Sequence, residues 1–196
     1  TAGTMLIAIP TGVKVLNWSA TLFRASIKVN TPMLFAVSFV GLFTIGGLSG
    51  MMHAAQPVDL QHTDTYFIVA HFHYVLFGGS VFGILAGIYY WWPKLTGRIL
   101  NERLGKLHWF LTFLGFNLTF GPMHILGNDG MPRRIYTYAA GQGWDGWNLV
   151  ATAGAYVTGL AFILFVFIVV KGLRGETPAG DDPWDGATLE WATCSP

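Results

Sequence analysis

TYFIVAHFHYVLFGGSVFGILAGIYYWW, residues 65–92, contains no Asp, Glu, Lys or Arg. It exceeds the roughly 20 apolar residues that carry a helix across a bilayer. Two histidines, His71 and His73, stand one residue apart inside it. On a helix, positions i and i+2 point roughly 200° apart, so the two imidazoles leave opposite sides and cannot bind one metal together. If both are ligands, the helix stands between two separate metal centres. Imidazole ligates haem iron and also suits copper. The plainer reading is a pair of neutral histidines hydrogen-bonded to neighbouring helices. Polar groups at membrane depth are costly and usually functional, which favours ligation.

Working outward, composition agrees with the run. Hydrophobic residues make up 53% and charged residues 11% of 196, where a soluble domain carries about 25% charged; mean hydropathy is +0.49. The chain is expected to be an all-α polytopic membrane bundle. Net charge is +1, which gives no sign of a nucleic-acid partner. The single cysteine, Cys194, rules out an internal disulfide and a cysteine metal site. The chain opens at Thr1 within an apolar stretch and without a charged leader. This is not a signal peptide, and the expectation is a carboxyl-terminal or processed piece of a longer protein.

Five apolar segments emerge, residues 1 to 23, 32 to 52, 65 to 92, 107 to 126 and 148 to 170. They form one expected unit, 1–170, followed by a polar, acidic tail, 171–196. Lysines and arginines give the orientation. Arg24, Lys28, Lys94, Arg98, Arg103, Lys106, Lys171 and Arg174 fall on one face, and Arg133 and Arg134 on the other. The basic face is expected to be cytoplasmic, with the tail on that side. His71 and His73 then lie about 9 to 12 Å below the outer surface at 1.5 Å per residue.

Lys14, in LIAIPTGVKVLNW, sits well inside the first segment. It either snorkels to the inner surface or carries protons, since burial draws a lysine towards neutrality. Thr11 shares its face, and Pro10 removes a backbone donor. On the outer face, Asp59, His62 and Asp64 precede the histidine helix, and Arg133 and Arg134 follow the fourth segment. Paired arginines suit carboxylates such as haem propionates, and the Asp and His side chains suit a cation. Ordinary solvated loops are the alternative for each group.

Four strings, AIPTGVKVLNW, DTYFIVAHFHYVL, GFNLTFGPMHILG and GMPRR, together resemble the haem-copper oxygen reductases, in the large catalytic subunit of the cytochrome c oxidases. The resemblance implies a twelve-helix subunit of which this chain is similar to the last five helices. It implies that His71 is the proximal ligand of the high-spin haem iron and His73 an axial ligand of the low-spin haem iron, with Phe72 between the haems. Lys14 and Thr11 match a proton pathway. Arg133 and Arg134 match the pair that holds haem propionates, with Tyr66 near them, and Asp64 matches an outer magnesium or manganese site. There the chain departs from the common pattern, with Thr63 before the Asp and His62 one place earlier.

The implied cofactors are two haems of the A type, copper whose ligands precede the position matching Thr1, and magnesium or manganese. The remaining histidines, His53, His62, His108 and His124, fall near segment ends and cannot replace the copper ligands. The implied activity is electron transfer from cytochrome c to oxygen with proton uptake and pumping, and this chain alone is expected to be inactive. The implied partners are the rest of subunit I, a copper-bearing subunit II, subunit III, cytochrome c, oxygen and membrane lipid. The implied location is a bacterial cytoplasmic membrane rather than a mitochondrial one. A quinol oxidase of the same family is the nearest alternative, and a transporter or structural membrane subunit without haem the remote one.

Overall fold

A computed structural model describes residues 1–175 and 178–196. Helices run over Ala2–Leu22 (α1), Thr31–Ala54 (α2), Gln56–His62 (α3), Tyr66–Leu76 (α4), Phe82–Thr96 (α5), Glu102–Asn128 (α6) and Asp145–Arg174 (α7). A π-helical turn, Phe77–Val81, joins α4 to α5, so Tyr66–Thr96 is one continuous span. Five spans are long and apolar enough to cross a membrane. Among the described residues there is no strand, only two isolated bridges.

Local sequence sets the ends. Asn30, Thr65 and Asn101 cap α2, α4 and α6 by accepting from Met33 N, Phe67 N and Leu104 N at 3.1, 3.2 and 3.0 Å, which satisfies amide donors left over at helix starts. Gly97 ends α5 with a left-handed φ of 68°, a conformation that favours glycine. Acids begin α6 and α7 at Glu102 and Asp145, and Lys171 and Arg174 close α7, each with the sign the helix dipole favours.

The core lies where α2, α4, α5, α6 and α7 meet, around Phe35, Leu42, Tyr74, Phe82, Tyr89, Phe116 and Ile168. α6 packs chiefly on α7 and α4, and α2 on α5 and α4. A Cβ on Gly154 would meet Thr119 N at 2.5 Å, and one on Gly46 would meet Val75 N at 2.8 Å. These two contacts bring helix backbones together as small residues do in membranes. α1 packs against α2, yet none of its residues is buried.

Two features depart from the sequence reading. Four of the five segments extend further, α6 by a full turn at its start, so His108 lies inside a helix and is fully buried rather than near an end. The tail is also more than a plain extension, because it folds back onto the basic face. Trp184 Nε1 donates to Tyr90 O and Trp191 Nε1 to Tyr90 OH, each at 2.8 Å. Lys94 lies 5.4 Å from the Trp191 ring and donates to Thr193 O. Asp185 pairs with Lys28 at 3.6 Å.

Candidate functional site

α4 enters the bundle between α2 and α6, and its two histidines turn to different neighbours. The His71 ring faces α2, with Nδ1 3.0 Å from Gly46 O and 2.9 Å from Ser49 Oγ. A carbonyl oxygen only accepts, so Nδ1 carries the proton. The His73 ring lies on Phe120 of α6, centroids 3.9 Å apart and 14° from parallel, and its Nδ1 donates to Val69 O at 2.8 Å. In both rings the fixed Nδ1 proton leaves the Nε2 lone pair free for iron, the arrangement in which metal-ligating imidazoles are held by a second hydrogen bond. Both side chains are half-buried. This donor set fits two separate haem irons.

Gly46 is the hinge of the arrangement. Its missing side chain lets α2 approach α4, and its carbonyl orients His71. Phe72 sits between the two histidines, its ring 4.5 Å from that of His73. The π turn follows directly, with the Phe77 amide donating to His73 O. Sequence reading passed over this turn, although Gly78 and Gly79 mark it; π turns often accompany functional sites.

At the α6 end of the site, a bridge between Thr65 and Pro132 draws the two loop groups together. Tyr66 N donates to Met131 O at 2.9 Å, and Arg133 N to Asp64 O at 2.9 Å. Arg133 Nε and Nη2 donate to Asp64 Oδ1 at 2.8 and 2.6 Å. Asp64 and Arg134 both take left-handed φ, 62° and 64°, which is costly for residues with a Cβ. Arg134 follows Arg133 but is not in this pair. Thr63 Oγ1 donates to Asp59 O at 2.5 Å. One oxygen of Asp64 is thus committed to Arg133. Among the described residues no three His, Cys, Asp or Glu side chains converge on a metal position, so a hard cation here would need further ligands. Nearby, Tyr138 donates to Asp145 Oδ1 at 3.0 Å, and that carboxylate holds the phenol above its ordinary pKa.

Lys14 stands apart from all of this. It is exposed on α1, and half-buried Thr11 donates its hydroxyl to Ile7 O at 2.9 Å. The helix runs unbroken through Pro10. The structure therefore brings together His71, Phe72, His73, Tyr66, Asp64 and Arg133 around α4, and places Lys14 and Thr11 on a separate helix.

The sequence profile of the family described as "Cytochrome C and Quinol oxidase polypeptide I" matches residues 1–157. The chain belongs to this family. It is 53% identical over 195 residues to a probable cytochrome c oxidase subunit 1-beta of Nocardia farcinica, covering 98% of this chain and 33% of that protein. It is 53% identical over 194 residues to a cytochrome c oxidase subunit 1 of Bacillus sp. PS3, covering 98% of this chain and 32% of the relative. The chain spans about a third of the length of these curated relatives. A solved heme-copper terminal oxidase dimer shares the fold, with TM-score 0.65 and 20% identity over 75% of this chain and 27% of that one. Family membership and five apolar spans make the oxidase family member an integral membrane protein.

Proposed function

We propose that this chain is the part of a cytochrome c oxidase subunit 1 that holds both haems on one helix. The observation that carries the reading is the pair of imidazoles on α4, each with Nδ1 donating to a backbone carbonyl and each turned to a different neighbour. His71 holds the high-spin haem iron and His73 the low-spin haem iron, with Phe72 between them. Arg133 and Arg134 hold haem carboxylates on the side where Tyr66 closes the loop. The haems, of the A type, and a copper ligated by residues outside this chain supply electron transfer and the reduction of oxygen to water when bound.

The protein's own part is to orient the two imidazoles, exclude water with the aromatic wall of Phe72, Phe77 and Phe120, and bring protons. Lys14 takes protons from the basic face, and Thr11 offers its lone pairs beside it. The basic face lies in the cytoplasm of a bacterium, the tail with it. Electrons arrive from cytochrome c through a copper-bearing subunit II, and subunit III and lipid complete the assembly. The curated relatives are named for cytochrome c, which favours that donor over a quinol.

A reduced-minus-oxidised spectrum of the native complex containing this chain tests the reading. Two haem signals, one of them shifted by carbon monoxide, are expected. A complex without a haem signal would refute it.

A further inference from the structure

Beside α4, at the end of the bundle where Asp64 and Arg133 pair, three buried ring nitrogens on two histidines have no hydrogen-bond partner among the described residues. They are Nδ1 and Nε2 of His53 and Nδ1 of His62. A buried polar atom of this kind costs about 1–3 kcal/mol if nothing meets it, and such groups in native proteins commonly mark an ion or a water. Two of the three lie on one ring. The rings are 5.4 Å apart, centroid to centroid, and 76° from parallel.

The geometry points to a binding site for a borderline divalent cation, of the zinc class, held by His53 and His62. A tetrahedral cation about 2.0–2.1 Å from one nitrogen of each ring places the ring centroids about 5 Å apart. Both residues occupy the last turn of their helices, His53 in α2 and His62 in α3. At the end of the 24-residue α2, the unpaired carbonyls and the helix dipole favour positive charge. Phe67 backs both rings. It stacks on His62 at 4.1 Å and 17°, and meets His53 edge-on at 5.2 Å, which fixes the imidazoles and leaves their nitrogens as the free groups.

The neighbours limit the ligand set to these two. His71 lies 4.9 Å from His53; its Nδ1 is taken by Gly46 O and Ser49 Oγ, and its Nε2 is the atom given to the high-spin haem iron in the proposed function. Asp64 is turned to Arg133, and Asp59 accepts from Thr63. No third His, Cys, Asp or Glu among the described residues joins the pair, so water fills the other positions. Imidazole nitrogen prefers zinc, copper and nickel, whereas magnesium and manganese prefer oxygen. The site thus differs in ligands and in metal class from a hard-cation site at Asp64, and its two-histidine ligand set rests on the proposed assignment of His71 Nε2 to haem iron.

The test uses the native complex, treated with chelator and titrated with Zn²⁺. One zinc equivalent with two imidazole nitrogens at its X-ray absorption edge is expected. His62→Gln and His53→Gln should each weaken it by at least about tenfold, and Asp64→Asn should leave it unchanged. The haem difference spectrum serves as the folding control and reports separately on the proposed function. If His53→Gln fails to assemble, His62→Gln decides alone, because its ring lies on the short α3 outside the spanning helices. Zinc bound equally by parent and His62→Gln, or zinc with an all-oxygen shell, would overturn the site.

Discussion

α4 and α1 both carry chemistry-bearing residues within apolar helices, but the chain treats them differently. α4 lies between α2 and α6, its histidines held at Nδ1 by Gly46 O and Val69 O and walled by Phe120 and Phe72. α1 packs on α2 without burying a residue, and Lys14 is exposed beside Leu16 and Val13. The haem-facing half of the proposed site is built by this chain's own helices. The proposed proton-carrying half supplies its residues on a helix of which no residue is buried. A lysine functions as a proton carrier only when its environment lowers its preference for charge, and that environment is not formed by α2 alone.

The largest effect should come from the assembled half. His73→Ala removes the α4 imidazole that lies on Phe120 of α6, and the low-spin haem signal should vanish from the difference spectrum of the complex. A variant that kept that signal would end the ligand assignment. Lys14→Met should do the reverse. Both haem signals should remain, while oxygen consumption falls by more than about tenfold, equivalent to about 1.4 kcal/mol of barrier. Unchanged turnover would remove Lys14 from the proton path, and loss of haem would show that α1 supports the haem half as well.

Gly46→Ala separates the two imidazoles within α4. The added methyl meets Val75 N at 2.8 Å and Tyr74 C at 2.9 Å, so α2 must shift, at a cost of about 1–3 kcal/mol as for other overpacked cores. Gly46 O is the acceptor for His71 and not for His73. The carbon monoxide-responsive signal should therefore change while the low-spin signal holds. Equal changes in both would mean that the helix moves as a unit.

The same contrast explains what could be read from the sequence. The spans were legible because uncharged apolar runs of that length have few other uses, and the divergence of His71 from His73 follows from helical periodicity alone. Their acceptors were not legible. Gly46 and Val69 act through carbonyl groups that every residue has, and which carbonyl meets the ring depends on how closely α2 approaches. The start of α6 was placed late because Glu102, Arg103 and Lys106 interrupt the apolar pattern, while Asn101 caps the helix before them. Tail docking rests on Trp184 and Trp191, whose indoles reach Tyr90 across about half the chain; composition registered only the acids around them. Asp64 and Arg133 were placed on one face by loop order. Their direct pairing needed the bridge of Thr65 to Pro132.

That pairing gives the smallest expected effect and the finest test of the loop beside α4. Asp64→Asn keeps an acceptor oxygen for Arg133 but removes the charge. The two side chains are 26% and 69% exposed, Arg133 the more covered, and water screens such a pair, so the loss should be about 1 kcal/mol or less. Thermal unfolding of the complex should show a small drop that shrinks as salt is raised towards 1 M, where the screening length falls to about 3 Å. Haem signals and turnover should stay near those of the parent. A loss of several kcal/mol, insensitive to salt, would mean that Asp64 holds more than Arg133. The carboxylate's second oxygen would then be the place to look for a bound cation.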